Sequence, residues 1–257
     1  MKWNHSITIC SLVWVMLLFS CRTHKEDKEV VRIATAANMQ FAMEQLTPAF
    51  TKETGISCEV VLSSSGKLFA QIREGAPYDL FVSADLKYPD ELYKKRHTTS
   101  APKVYAYGQL VLWTMIDTLS LSLDLLSADQ IEHIAIANPK TAPYGRAAKE
   151  VLTGHKLLES IEGKLVYGES VAQTNQFITS RSAEVGFTSM SVVLSSEMKG
   201  KGKWLAINKN DYSPIEQGVV MLNNRKTENI GVQKFYDFLF SERGKNILQN
   251  FGYSVYE

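Results

Sequence analysis

Residues 31–66 read VRIATAANMQFAMEQLTPAFTKETGISCEVVLSSSG, and this stretch decides the fold. Val31–Ala36 is an apolar run of strand length. From Met39 to Thr54 the apolar residues Phe41, Ala42, Leu46, Ala49 and Phe50 return at helical spacing, and Gly55 ends the helix. A second apolar run, Cys58–Leu62, gives way to Ser63-Ser64-Ser65-Gly66 and a further helical segment, Lys67–Glu74. Strand, helix, strand in that order is the unit of a parallel sheet. The alternation continues, with strands predicted at Leu80–Ser83, Leu110–Thr114, Ile134–Ala137, Leu165–Gly168, Val185–Thr188 and Val219–Leu222. Helices are predicted at Arg146–Leu158, Val171–Arg181 and Val232–Asn250. Short apolar strands of this kind belong to a sheet covered on both faces. The chain is therefore α/β with a largely parallel sheet, and no internal repeat is visible.

Composition narrows the function. In 257 residues, 45% are hydrophobic and 21% charged, enough for one large core or two modest ones and too apolar for a disordered chain. With 28 Lys and Arg against 27 Asp and Glu, the chain lacks the basic excess of a nucleic-acid binder. Residues 1–20 read as an export signal: Lys2 is followed by the apolar run Ile7–Phe19, too short for a comfortable membrane span. The run ends Leu18-Phe19-Ser20-Cys21, similar to the lipobox of bacterial lipoproteins, in which cleavage precedes a lipid-bearing cysteine. Cys21 is the expected lipidation site, and an ordinary signal peptide with an incidental cysteine is the alternative. Residues 21–29 are polar and mostly charged, as a tether between lipid and folded domain should be. The expected location is the cell envelope, lipid-anchored on the periplasmic side. Loss of residues 1–20 removes one Lys and no acid, leaving a formally neutral chain in which Cys58 is the one unmodified cysteine. No disulfide is available, and Cys58, in an alternating run, reads as a small strand residue rather than a reactive thiol.

Four helix starts carry the functional signal: Ala36-Ala37-Asn38, Ser63-Ser64-Ser65-Gly66, Ala142-Pro143-Tyr144-Gly145 and Glu169-Ser170-Val171-Ala172. Each follows a strand directly and brings small or capping residues. Helix N-termini present unpaired N–H donors and a partial positive charge, so several of them converging on one cleft form an anion site without Lys or Arg. Taken singly, Asn38, Ser64, Ser65 and Ser170 are also ordinary caps.

The segments Ala34-Thr35-Ala36-Ala37-Asn38, Ser63–Leu68, Gln71–Asp85 (QIREGAPYDLFVSAD) and Ile215-Glu216-Gln217-Gly218 resemble the periplasmic molybdate-binding (ModA) family of ABC transporters, over about Val30 to Tyr256. The resemblance implies a two-lobed, type II periplasmic binding fold, each lobe a mostly parallel sheet flanked by helices. It implies closure over molybdate or tungstate, delivery to a membrane permease, and no cofactor. Lobe one is expected at residues 30–108 and 213–257 and lobe two at 109–212, with the chain crossing near Tyr107–Leu112 and Tyr212–Gly218. The family's oxyanion contacts carry over onto Asn38 and Ser65 in lobe one and onto Tyr144 and Val171 in lobe two. Ala37, Ser64 and Ser189 are further candidates. Several relatives place a Tyr where Ser189 stands, and Tyr144 is expected to supply the missing hydroxyl. No residue is expected to ligate the metal atom directly, and the protein is expected to be a monomer.

Molybdate and sulfate are both tetrahedral dianions, so neutral donors sort them by size: a cavity set for the longer Mo–O bonds leaves sulfate with slack hydrogen bonds. Hydrogen bonds to a charged group are worth about 1.5–3 kcal/mol each, so two or three poor ones cost sulfate several powers of ten. Phosphate, partly protonated at neutral pH, finds no acceptor for its O–H in a site of donors, which requires that no carboxylate face the anion. A same-fold receptor for sulfate or phosphate is the nearest alternative. A more distant one is a hydrolase, because Ser64-Ser65-Gly66-Lys67 contains Ser-x-x-Lys, although neither Ser-Asp-Asn nor Lys-Thr-Gly follows. The five His residues show no metal or triad spacing. Arg73 and Arg146 are expected on solvated helix faces, Trp113, Trp204, Tyr105 and Tyr107 in core or hinge packing, and Lys199, Lys201 and Lys203 in a solvated loop.

Overall fold

The computed structural model describes residues 30–223 and 230–255; the signal, the tether and Cys21 lie outside them. In chain order the elements are β1 (Val30–Ala36), α1 (Gln40–Thr54), β2 (Ser57–Ser63), α2 (Ser65–Arg73), β3 (Leu80–Val82), α3 (Lys87–Lys94), β4 (Lys103–Gly108) and β5 (Leu110–Thr114). There follow β6 (Ile134–Ala137), α4 (Pro143–Gly154), α5 (Leu158–Ile161), β7 (Leu165–Gly168), α6 (Val171–Thr179), β8 (Val185–Ser189) and α7 (Met190–Val193). The chain continues through β9 (Lys203–Ala206), β10 (Ile215–Met221), α8 (Ile230–Phe240) and α9 (Glu242–Asn250).

The strands form two five-stranded sheets, ordered β2-β1-β3-β10-β4 and β7-β6-β8-β5-β9. The α/β class read from the sequence and the two-lobed architecture implied by the family resemblance are borne out. Both sheets are mixed: β1 runs parallel to β2 and β3, and β6 parallel to β7 and β8, whereas β10 and β5 are antiparallel to both of their neighbours. The antiparallel strands are those next to the crossings. Gln109 alone separates β4 in the first sheet from β5 in the second, and the chain returns between β9 and β10.

Alternation along the central strands of the first sheet supplies two apolar layers. Ile33, Leu80 and Val219 enter the main core with Phe50, Phe235 and Phe238, whereas Ala34, Phe81 and Val220 pack with Leu68, Phe69 and Tyr88 on the other face. The Phe50 ring meets those of Phe235 and Phe238 edge-on at 5.1 and 5.7 Å. In the second sheet Trp113 is fully buried and donates to Lys201 O at 3.3 Å. Trp204, expected in the packing, instead stands 42% exposed: β9 is an edge strand whose four residues all face solvent. The helix expected over 232–250 is two helices broken at Ser241, whose Oγ accepts from Gly244 N and so starts α9. Cys58 is half-buried in edge strand β2, and burial pushes its thiol up to about 12, so it is not a thiolate at neutral pH.

Candidate functional site

The two sheets meet along a seam built from helix starts. After β1 the chain makes one 3-10 turn, Ala37–Met39, before α1; Asn38 is buried in that turn. Ser64 precedes α2, Ala142 precedes α4 and Ser170 precedes α6. Only Ser170 caps its own helix, accepting from Gln173 N at 3.4 Å, while Ala36, Ser64 and Ala142 give no side-chain cap. Asn38, Ser65, Tyr144 and Val171 therefore occupy first-turn positions, where backbone N–H groups have no partner within the helix, and all four are buried. The starts from the two sheets touch. Gly66 N donates to Thr141 O at 2.9 Å, and Tyr88 OH to Lys140 O at 3.2 Å. A Cβ on Gly66 would lie 2.9 Å from Thr141 Cα, so this approach requires glycine.

At the centre of the seam the polar groups are neutral. Asn38 Nδ2 donates to Gln217 Oε1 at 3.0 Å and to Tyr253 OH at 2.9 Å, so its side-chain donors are engaged and its backbone N–H remains. Ser191 Oγ and Tyr253 OH both donate to Asn38 O, at 2.7 and 3.0 Å. Tyr144 OH accepts from Gln217 Nε2 at 3.4 Å and shares a hydrogen bond of 3.0 Å with Ser189 Oγ, which in turn lies 2.8 Å from Ser191 Oγ. The tyrosine and the serine read as a gain and a loss in sequence are thus direct neighbours. Ser65 Oγ accepts from Ala84 N at 3.0 Å and keeps its own proton. Burial, reinforced by the nearby Tyr253, holds the Tyr144 phenol well above its ordinary range, so it stays a neutral donor.

Among the described residues two ion pairs span the seam, Asp85 with Arg146 and Lys67 with Glu169. Arg146, expected on a solvated face, is partly buried because the first turns of α4 press against the first sheet; its Nη2 meets Asp85, and its guanidinium lies 5.8 Å from the Tyr88 ring centre. Arg73 remains exposed. Lys67 is committed to Glu169 and Ser64 Oγ has no hydrogen-bond partner, so the Ser-x-x-Lys residues do not form a nucleophile–base pair. Three buried polar side-chain atoms among the described residues lack partners, Ser64 Oγ, Thr141 Oγ1 and Arg146 Nη1, and all three belong to the flanks of α2 and α4 at this seam. Gln217, Tyr253 and Ser191 carry no signal in a motif of catalytic or metal-binding type. Gln217 lies within one of the segments that carry the family resemblance.

The family model for bacterial extracellular solute-binding proteins matches residues 31–254. Over 230 residues the chain is 34% identical to the molybdate-binding protein ModA of Azotobacter vinelandii, spanning 88% of this chain and 90% of that one. The chain belongs to the ModA family of bacterial extracellular solute-binding proteins. The solved A. vinelandii periplasmic molybdate-binding protein superposes on this ModA-family chain with a TM-score of 0.84 at 32% identity, covering 88% of it and all of the other. The Rhodobacter capsulatus ModA is 33% identical over 221 residues, 86% of each chain. A Bacillus subtilis relative, the putative ABC transporter substrate-binding lipoprotein YvgL, is 26% identical over 262 residues, 98% of each. By name these relatives are binding proteins, not enzymes.

Proposed function

We propose that this protein captures molybdate or tungstate between its two lobes and delivers it to an ABC permease, acting as a binding protein and not as an enzyme. The observation that carries the reading is the seam itself: helix starts from both sheets, buried, three of them without a side-chain cap, surrounded by neutral hydroxyl and amide groups. Buried first-turn N–H groups call for acceptors, and a tetrahedral dianion brings four oxygens. In this reading the anion takes the backbone N–H groups of Asn38, Ser65, Tyr144 and Val171 together with the Ser65 and Tyr144 hydroxyls. Ala37 and Ser64 border it, and Ser189 acts through Tyr144. Residues 30–108 with 213–257 form one lobe and 109–212 the other, so closure and completion of the site are one event.

Among the described residues no carboxylate hydrogen-bonds to Asn38, Ser65, Tyr144 or Gln217, which favours a fully deprotonated anion over phosphate. Calorimetric titration of the purified protein with molybdate, tungstate, sulfate and phosphate tests the reading. One-to-one binding of the first two alone supports it, and binding of the last two alone overturns the specificity. Tyr144→Phe removes one donor and should weaken molybdate about tenfold to a hundredfold; unchanged affinity removes Tyr144 from the site. The finer location, a lipid anchor at Cys21, draws support from the lipoprotein name of the B. subtilis relative. Wild type should sediment with membranes and Cys21→Ala should not.

A further inference from the structure

Four charged side chains face one another across the seam, and their signs are crossed. From the side of the first sheet come Lys67, in the first turn of α2, and Asp85, between β3 and α3; from the side of the second come Arg146, near the start of α4, and Glu169, directly before the Ser170 cap of α6. Lys67 Nζ meets Glu169 Oε2, and Arg146 Nη2 meets Asp85 Oδ2, so each side gives one cation and one anion and meets their opposites. Helix stability does not account for these places. A cation near a helix start opposes the helix dipole, and the first turns of α2 and α4 contain no acid of their own. The carboxylates come from the other sheet. Asp85 is aimed at its partner: its Oδ1 accepts from Ser83 Oγ at 3.1 Å and from Tyr88 N at 3.5 Å, both on its own side, while Oδ2 reaches Arg146. The Asp85 and Arg146 side chains are 13% and 29% exposed and those of Glu169 and Lys67 68% and 41%, so one pair lies inside the seam and the other at its rim.

We propose that the two crossed pairs are a closing key for the cleft: they form only when the lobes shut in register, and by holding the shut form they lengthen the stay of an oxyanion that neither pair touches. The inference rests on the proposed function and adds to it a contribution that the neutral donors do not make. Donors around the anion favour closure at the centre of the seam. The key favours it at the flank, and because its signs are crossed, a lobe displaced toward the wrong partner brings Lys67 against Arg146 or Asp85 against Glu169. All four are positioning residues, acting on the anion through the closed form.

Two double-mutant cycles read in molybdate affinity test this. A charge that acts on the dianion through space gives independent effects, which multiply in the double variant; a pair that forms on closure gives effects that do not. At the rim, Lys67→Glu and Glu169→Lys each set like charges opposite one another, and the double variant restores the pair in reverse. It should bind about two- to fivefold more tightly than the product of the single effects. Inside the seam, Asp85→Asn combined with Arg146→Gln should bind at least about tenfold more tightly than the product of its single effects. Both couplings should lie in the rate of release, read by stopped flow. Coupling in neither pair, in one pair alone, or only in the association rate overturns the proposal, as does coupling seen in thermal melts without the anion and not in affinity. If an Asp85 or Arg146 variant does not fold, as judged by thermal melting, the rim pair, exposed on both members, carries the test alone. A wild-type protein that binds no oxyanion overturns the proposed function itself; wild-type binding with uncoupled variants overturns this inference alone.

Discussion

Gly108 shows how tightly single residues are constrained around the neutral centre of the site. A Cβ there would lie 2.1 Å from the Tyr144 hydroxyl and 2.7 Å from Gln217 Nε2, so the last residue of β4 leaves the space that these two groups fill. Gly108→Ala forces the phenol aside. Its expected result is a loss of about 1–3 kcal/mol in stability, as for overpacking, together with at least about tenfold weaker molybdate binding. Thermal melts and calorimetry measure the two, and an alanine variant that binds like wild type would show that the phenol has another route to the cleft. The helix starts that carry Asn38, Ser65, Tyr144 and Val171 were legible in the sequence as small or capping residues after apolar strands, whereas the choice of those four residues came from the family resemblance. Gln217 and Tyr253 were not legible, because they reach Asn38 from 179 and 215 residues away, and only the sheet order brings them there.

At the scale of elements, legibility followed the apolar run, which the buried central strands supply and which the half-buried edge strand β2 also keeps. The central strands β1, β3, β5, β6 and β8 are buried almost throughout and read clearly as apolar runs. The edge strand β4, half-exposed KVYAYG, and the exposed edge strand β9, KWLA, gave no such run. Helix α3, KYPDELYK, is short, polar and contains a proline, so its apolar face of Tyr88, Pro89 and Leu92 shows only in three dimensions. The pattern over 232–250 reads as one helix because apolar spacing survives the break, whereas Ser241 both donates to Phe238 O at 2.7 Å and caps α9 through Gly244 N at 3.1 Å. Ser241→Ala should cost about 1 kcal/mol of stability, seen in urea unfolding as a lower midpoint with an unchanged slope. Molybdate affinity should not move, because α9 packs on α8 and α1 and not at the seam.

Over the whole molecule, the two lobes are joined by polar contacts, and Asp85 makes one of them depend on pH. Burial raises the Asp85 carboxyl above its ordinary range, outweighing the opposing pull of Arg146, Ser83 and the Tyr88 N–H. A raised carboxyl binds its proton more tightly in the folded than in the unfolded chain. Its contribution to stability is therefore complete below the unfolded value and is lost as pH rises through the folded one. Asp85→Asn does not titrate, so its stability relative to wild type should increase as pH is raised from 4 to 7 in urea unfolding; a constant or falling difference contradicts the sign. The network around Tyr144 contributes no such dependence, since its phenols stay protonated across this range.

The placement of the crossings has a mechanical consequence. Gly108 ends one strand that leads between the lobes, and Gln217 lies in the strand that leads back, so under the proposed function the groups around the anion would also be those on which the lobes turn. An oxyanion held there sits at the axle and not at the tips of the jaws. Rotation that opens the lobes must first break its hydrogen bonds, and no part of the cleft can gape while the cargo keeps its place. The time the cargo stays and the time the jaws stay shut are then one and the same interval, ended by whatever forces the axle to turn.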